Sequence, residues 1–305
     1  MLIMGNGEMR MPPSLRRGDK VAIVSPASKI EPGLIDAAVG QLQREELEVV
    51  VMPHAKGVCG SFSGSREERL EDMRRAMEDD TVRCILCSRG GYGAVHLLDE
   101  LDRLPGRCFD KWLVGFSDIT ALHALWWKHG VVSMHGAMAK YIGMGEEFPF
   151  YRTEIKILRG GDAGLECAAD GFNREGVAEG KIVGGNLAVM GGLIGTPFDP
   201  VEDGCILFIE DIAEPIYKVE RILWQLRLRG VFDRLGGLMV GQFTDYRPSA
   251  DWHSMEAMIA SFVKGYRFPV AMNLPVGHID NNHPLLLNRR AKLAVGAEGV
   301  MVGYE

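Results

Sequence analysis

Three residues of this sequence have types and settings suited to nucleophilic catalysis: Ser117, Glu210 and His278. A serine hydroxyl attacks a carbonyl only when a base takes its proton, and a histidine can serve as that base. A carboxylate can then hold the histidine in the correct tautomer and stabilise the imidazolium. These three residues could therefore form a triad in which Ser117 is the nucleophile, His278 its general base and Glu210 the residue that orients the histidine.

The setting of Ser117 is a turn between a predicted strand and a predicted helix, with the sequence Gly-Phe-Ser-Asp at 115–118. A nucleophile elbow has this setting, and there the backbone N–H that follows the serine points at the developing oxyanion. Ile119 stands where the motif G-x-S-x-G has its last glycine, so the match is incomplete. The alternative is that Ser117 or Asp118 only caps the helix.

A glycine-rich loop, Ser-Arg-Gly-Gly-Tyr-Gly at 88–93, follows another predicted strand. Its glycines let a ligand approach the backbone closely, and the amide of Gly91 could face the same point as that of Asp118. The loop could equally hold a phosphate or form a plain strand-to-helix turn. It is neither G-x-G-x-x-G nor a P-loop, so the sequence does not support nucleotide binding.

The settings of the other two residues also allow structural roles. His278 lies in a loop after the apolar segment 274–277, and Glu210 ends the apolar strand predicted at 205–209. A loop histidine can be structural, and Glu210 could be a solvated residue at a turn. No spacing of histidines and carboxylates resembles H-E-x-x-H or another metal site, so we predict neither a metal nor an organic cofactor.

The elements that must position these residues alternate between strand and helix patterns in the first half of the chain. Apolar runs predict strands at 20–25, 48–52, 82–88, 112–116 and 131–134, and helical spacing predicts helices at 30–46, 66–78, 93–101 and 118–128. This alternation is typical of a parallel sheet with right-handed crossovers. Ligands collect at the carboxyl ends of such strands, where the Ser117 turn and the glycine loop both lie.

The second half of the chain mixes helix and strand less regularly. Its patterns predict a helix-like stretch at 184–193, strands at 205–209 and 238–242, helices at 217–229 and 255–264, and strands within 290–302. A segment at 163–180 is rich in Gly, Asp, Asn and Ala, and we predict that it is a linker. The domains are then 12–162, with the nucleophile, and 181–305, with the glutamate and the histidine.

The composition indicates a soluble globular protein. Hydrophobic residues make up 47% of the 305 residues and charged residues 25%, and the formal net charge is −7. This charge disfavours nucleic acid and anionic lipid as partners. No apolar segment suggests a signal peptide or a membrane span, and the six cysteines have no disulfide-scaffold spacing. We therefore expect a cytoplasmic protein with reduced thiols and without a membrane partner.

Six short segments together resemble the LD-carboxypeptidase family of serine peptidases. They occur in the family's order, from about Pro12 to the C-terminus, at 18–27, 89–93, 115–120, 184–186, 209–211 and 277–278. The resemblance implies a flavodoxin-like parallel-sheet N-terminal domain and a C-terminal swivelling β/α domain. It also implies a Ser-His-Glu triad shared between the domains, an oxyanion hole at the amides of Asp118 and Gly91, and a homodimer.

The resemblance further implies hydrolysis of the L,D-peptide bond to the terminal D-alanine of murein tetrapeptides, in the cytoplasmic recycling of cell-wall peptides. Candidates for binding this small peptide substrate are Arg89, Gly90, Tyr92 and Asn186. The diamino acid of the substrate could be held by Asn186 and by acidic groups near the cleft.

Two alternatives remain at this point. The microcin C immunity branch of the family cleaves aminoacyl- or peptidyl-nucleotide analogues and would need an aromatic platform, for which Tyr141, Tyr246 and Trp252 are available. A reading from another class is a non-catalytic protein that binds a small anion at the glycine loop and helix N-termini. In that case Ser117, Glu210 and His278 need not meet in space.

Overall fold

The computed structural model describes residues 9–145, 148 and 150–305 of the chain. The strands in these residues are, in chain order, β1 (Lys20–Val24), β2 (Glu48–Val51), β3 (Val82–Cys87), β4 (Trp112–Gly115), β5 (Ser133–His135), β6 (Leu165–Ala168), β7 (Gly176–Asn186), β8 (Ile206–Ile212), β9 (Gly237–Thr244), β10 (Val270–Ala271), β11 (Leu285–Leu287), β12 (Arg290–Val295) and β13 (Gly299–Tyr304). The helices are α1 (Pro32–Arg44), α2 (Arg66–Glu78), α3 (Leu98–Leu101), α4 (Thr120–Lys128), α5 (Ala139–Gly143), α6 (Phe150–Leu158), α7 (Leu187–Gly191), α8 (Ile216–Leu228) and α9 (Met255–Val263).

The first sheet has the strand order β2-β1-β3-β4-β5-β11. Its first five strands are parallel, and their order is that of flavodoxin-like folds, so the predicted class of the N-terminal domain is confirmed. Nearly every residue of β3 and β4 is buried, because the crossover helices cover both faces of a parallel sheet. The glycine loop follows β3 and the Ser117 turn follows β4, at the same edge of the sheet.

The second sheet has the order β10-β9-β8-β7-β12-β13-β6. Strands β7 to β10 pair in parallel, while β7, β12, β13 and β6 pair antiparallel. The long strand β7 joins the two parts, since its first half pairs with β12 and its second half with β8. The α/β class predicted for the C-terminal half is therefore confirmed.

The range 163–180, predicted as a linker, contains β6 and the first part of β7. Both strands pair within the second sheet, so this range is more than a connection between domains. The sequence did not predict β6 as a strand, because β6 has only four residues and is half exposed. Such a short alternation, surrounded by Gly, Asp and Asn, has no clear strand signal in the sequence.

The two halves of the chain also share a strand. β11 lies beyond residue 280 but pairs antiparallel with β5, with Leu285 opposite His135. Leu286 is buried in the core of the first domain. The sequence did not predict this strand, because three apolar residues are too few to distinguish a strand from a loop. The shared strand attaches the loop that carries His278 to the nucleophile's sheet.

Several helix boundaries follow from local capping. α2 begins after a capping box in which Ser65 Oγ accepts from Glu68 N and the Glu68 carboxylate accepts from Ser65 N. α1 begins with a proline at its first position. In the described part of the chain, no helix has the length and apolarity needed to cross a membrane. All six cysteines are free.

Candidate active site

Ser117 has a backbone conformation that serine seldom adopts, with φ of +64°. This left-handed conformation is uncommon outside glycine, and its strain is typical of a nucleophile elbow. Neither of the residues proposed as caps makes a capping bond. The Asp118 carboxylate instead accepts a 2.8 Å hydrogen bond from Ala94 N, beyond the glycine loop. The turn therefore projects the serine rather than capping α4.

The glycine loop packs directly against this turn. A Cβ at Gly90 would lie 2.8 Å from Ser117 Cβ and 3.2 Å from Asp118 N. Gly91 has φ of +105°, and a side chain there would overlap the hydroxyl of Ser28. The same hydroxyl accepts from Tyr92 N at 3.2 Å. Glycine at position 90 allows the loop to lie this close to Ser117, and glycine at position 91 allows it to lie close to Ser28.

His278 and Glu210 form a buried pair. His278 Nδ1 lies 2.7 Å from Glu210 Oε2, and the side chains are 10% and 0% exposed. The glutamate projects from β8 towards the loop of His278, where Gly277 leaves room for it: a Cβ at Gly277 would lie 3.1 Å from Glu210 Oε2. An ionised carboxylate accepts only, so Nδ1 carries the proton and Nε2 remains available as a base.

The pair lies next to the Ser117 turn. The ring of Phe116 meets the imidazole of His278 edge to face, with 4.9 Å between ring centroids. Among the described residues, no hydrogen bond joins Ser117 to His278. Catalytic hydrogen bonds are often long before substrate binds and shorten in the complex. The structure thus brings the three predicted residues to one region, with Glu210 and His278 bonded.

A cavity of about 410 Å³ lies between the two halves beside Ser117. The first domain and the second domain each contribute a wall, formed by Gly91, Tyr92, Val95, Ser117 and Asp118 on one side and by Asn186, Ala188, Val189, Gly192, Leu193, Asp211, Ile212 and Glu214 on the other. Two of the second-domain residues are acidic, and no lysine or arginine of the described chain lines the cavity. Its second wall is therefore suited to a cationic group.

Asp211 is the more buried of the two acidic residues of that wall, with 3% exposure. Its carboxylate accepts from Asn186 Nδ2 and Ala188 N, both at 2.8 Å, and from Ile212 N at 2.9 Å. Burial, together with the neighbouring charge of Glu210, raises the pKa of Asp211 to about 6. Glu214 is more exposed and faces Lys218 Nζ at 3.4 Å.

The predicted substrate-binding residues occupy different positions. Tyr92 lines the cavity and is 57% exposed. Asn186 also lines it, but its side chain bonds to Asp211 and Val189 N. Arg89 donates to Lys29 O and is not part of the lining. In the chain as described, no group of three or more His, Cys, Asp or Glu side chains is placed to hold a metal ion.

None of the three aromatic residues considered as a nucleotide platform lines this cavity. Tyr246 and Trp252 pack against the core of the second domain. Tyr141 packs against Phe116 on the other side of the turn, with ring centroids 5.4 Å apart.

Sequence reasoning missed one contact at the site. Thr120, in the first turn of α4, accepts a hydrogen bond from Asn186 N of the second domain at 2.9 Å. The sequence did show a hydroxyl residue three positions after Ser117, within the segment 115–120 that carries part of the family resemblance. Its partner, however, is 66 residues away and cannot be read from local pattern.

Both halves of the chain match models of known protein domains. Residues 21–136 match the LD-carboxypeptidase N-terminal domain, and residues 179–293 match the LD-carboxypeptidase C-terminal domain. A murein tetrapeptide carboxypeptidase of Pseudomonas aeruginosa is 32% identical over 85% of this chain and 88% of its own length. The chain belongs to the LD-carboxypeptidase family. It is therefore a carboxypeptidase, a hydrolase of peptide bonds, which disfavours the alternative of a non-catalytic anion-binding protein.

Solved members of the LD-carboxypeptidase family have the same fold. The muramoyltetrapeptide carboxypeptidase of Oxalobacter formigenes superposes with a TM-score of 0.84 at 28% identity, over 93% of this chain and 98% of that one. The microcin C7 self-immunity protein MccF of Escherichia coli is 27% identical over 76% of each chain. Both branches of the family considered from the sequence are thus among its relatives.

Proposed function

We propose that this chain is a serine carboxypeptidase that hydrolyses the L,D-peptide bond to the terminal D-alanine of murein tetrapeptides. Ser117 is the nucleophile, His278 the general base and Glu210 the residue that orients the base. The observation that carries the proposal is the 2.7 Å bond between His278 and Glu210, with the imidazole packed against Phe116, the residue before Ser117. A base, its carboxylate and a strained serine turn are the parts that acyl transfer needs.

The reaction then proceeds by acylation and deacylation. His278 Nε2 takes the Ser117 proton as Oγ attacks the scissile carbonyl, and Glu210 stabilises the imidazolium. The backbone amides of Asp118 and Gly91 donate to the oxyanion of the tetrahedral intermediate, and each such donor is typically worth about 3–4 kcal/mol. His278 protonates the leaving amine of D-alanine. A water molecule, activated by the same imidazole, hydrolyses the acyl-enzyme and restores Ser117.

Three observations support a murein peptide over an aminoacyl-nucleotide analogue. The second-domain wall of the cavity has the carboxyl groups of Asp211 and Glu214, which suit the free amine of a diamino acid. None of the three aromatic residues considered as a nucleobase platform, Tyr141, Tyr246 and Trp252, lines the cavity. Relatives at about 30% identity are named as murein peptide carboxypeptidases.

We place this reaction in the cytoplasm, in the recycling of cell-wall peptides, and we expect the protein to be a homodimer. Light scattering of the purified protein tests the second point, since a mass near 33.6 kDa would indicate a monomer. Fractionation of cells that express the protein tests the first.

The central experiment incubates the purified protein with L-Ala-D-Glu-meso-diaminopimelate-D-Ala and measures released D-alanine. We expect release by the wild type and none by Ser117→Ala. Folded wild type that releases no D-alanine would contradict the murein substrate. An aminoacyl sulfamoyl nucleoside is the second substrate to test, because its cleavage instead would place the chain in the microcin immunity branch.

A further inference from the structure

The proposed triad is divided between two domains, so something must hold the domains in register. Ser117 belongs to the first domain, while Glu210 and His278 belong to the second. A displacement of about 1 Å between reacting groups can cost about 100-fold in rate. A fixed contact between the domains close to the site is therefore a requirement of this arrangement.

One buried hydrogen bond meets this requirement. Thr120 Oγ1, on the first turn of α4, accepts from Asn186 N at the end of β7, at 2.9 Å. The two residues are 2% and 5% exposed. A buried backbone N–H that loses its acceptor is costly, so this bond constrains the distance between α4 and β7.

Next to this bond, a glycine of β7 allows the strand to lie close to Thr120. Gly185 has φ of +137°, and a Cβ there would lie 2.5 Å from Thr120 Oγ1 and 3.0 Å from its Cγ2. The end of β7 therefore lies against the threonine itself.

The contact continues directly to the catalytic pair. Asn186 is the register partner of Glu210 where β7 pairs with β8. Its side chain donates to Asp211, the residue after Glu210, at 2.8 Å. Asn186 thus donates to Thr120 through its backbone and to Asp211 of β8 through its side chain. The second bond lies next to Glu210, whose carboxylate bonds His278.

We propose that Thr120 is a positioning residue for the reaction. Its hydroxyl holds the end of β7, the strand that pairs with the Glu210-bearing strand β8, in register with the helix that follows Ser117. The proposal rests on the proposed function, because it concerns how the Ser117 and Glu210–His278 parts of that site are aligned. Thr120 acts through the backbone N–H of Asn186.

The test compares Thr120→Val, which keeps the shape and removes the acceptor, with Thr120→Ser, which keeps the acceptor. Released D-alanine gives kcat and KM, and the rate at which a fluorophosphonate labels Ser117 gives the reactivity of the serine without any peptide. We expect Thr120→Val to lower kcat and the labelling rate by about 10- to 100-fold each, with KM changed less than about threefold. Thr120→Ser should restore both to within about threefold of the wild type.

A control separates positioning from general loss of stability. Ser254→Ala also removes a hydroxyl that accepts a backbone N–H, that of Ala257 at 3.1 Å, but within the second domain alone. It should lower the melting temperature and leave kcat and the labelling rate unchanged. Thr120→Val with wild-type kcat and labelling rate, or Thr120→Ser as slow as Thr120→Val, would overturn the proposal.

The readouts also distinguish this proposal from the proposed function. Wild type that is labelled at Ser117 but releases no D-alanine contradicts the murein substrate and leaves the labelling comparison to decide the role of Thr120. Should Ser117 of the wild type not react with the fluorophosphonate at all, spin labels at Arg103→Cys and Leu228→Cys, one in each domain of a protein whose exposed Cys59 is replaced by serine, report the register itself. Their distance distribution should broaden in Thr120→Val and remain narrow in Thr120→Ser, and an unchanged distribution in Thr120→Val would overturn the proposal.

Discussion

The imidazole of His278 is held by the carboxylate of Glu210 at 2.7 Å, although 68 residues separate the two in the chain. The carboxylate is fully buried, and a Cβ at Gly277 would lie 3.1 Å from its Oε2 atom. Because the bond is made by Nδ1, it determines which nitrogen can act as a base.

Removing the charge of Glu210 should impair the reaction without unfolding the protein. Glu210→Gln replaces an acceptor with an amide that can favour the wrong tautomer of His278, so we expect kcat to fall by about 10²- to 10⁴-fold with KM little changed. Released D-alanine measures both. The control Glu179→Gln loses only a surface ion pair with Arg290 and should retain full activity. Full activity in Glu210→Gln would argue against its role.

Because Ser117 has a left-handed backbone conformation, replacing it with glycine should abolish activity but cost less stability than replacing it with alanine. Ser117→Gly should be inactive, because the nucleophile is gone, yet its free energy of unfolding should exceed that of Ser117→Ala by about 1 kcal/mol, since glycine adopts φ of +64° without strain. Urea denaturation of the two variants measures the difference. Equal stability would mean that the turn stores no strain at this residue.

Gly90 should tolerate no side chain. A Cβ there would lie 3.0 Å from Ser117 Oγ and 3.2 Å from Asp118 N, so Gly90→Ala should displace the serine or the amide behind it and lower kcat at least about tenfold. The matched control is Gly106→Ala, whose Cβ would have nothing within 4 Å and which should behave as wild type. Release of D-alanine by both variants measures the effect. Full activity of Gly90→Ala would show that the glycine loop can move away from Ser117.

Asp211 should make stability depend on pH. Its pKa in the folded protein is raised from 3.8 to about 6, so its contribution to stability is complete below about pH 4 and is lost as the pH rises through 6. The loss is at most about 3 kcal/mol. The asparagine in Asp211→Asn cannot titrate. The difference in free energy of unfolding between this variant and the wild type should therefore change by up to about 3 kcal/mol between pH 4 and pH 7. Urea denaturation across this range measures the change. A difference that is independent of pH would mean that the pKa of Asp211 is not raised.

Local sequence patterns predicted much of the fold and the three candidate catalytic residues. The helix predicted at 66–78 has those bounds in the structure, because its capping box lies within four consecutive residues. The parallel strands of the first domain were found because each is a short apolar run with a turn directly after it. Ser117, Glu210 and His278 were each singled out by position, at the end of an apolar segment.

Only the tertiary structure decided how these pieces meet. β6 and β11 were missed because a strand of three or four residues is defined by its partner, which lies in a distant part of the chain. The bonds from Glu210 to His278 and from Asn186 to Thr120 likewise join residues more than 60 positions apart. Periodicity and capping act over a few residues, whereas sheet register and buried polar pairs depend on which distant backbones come together.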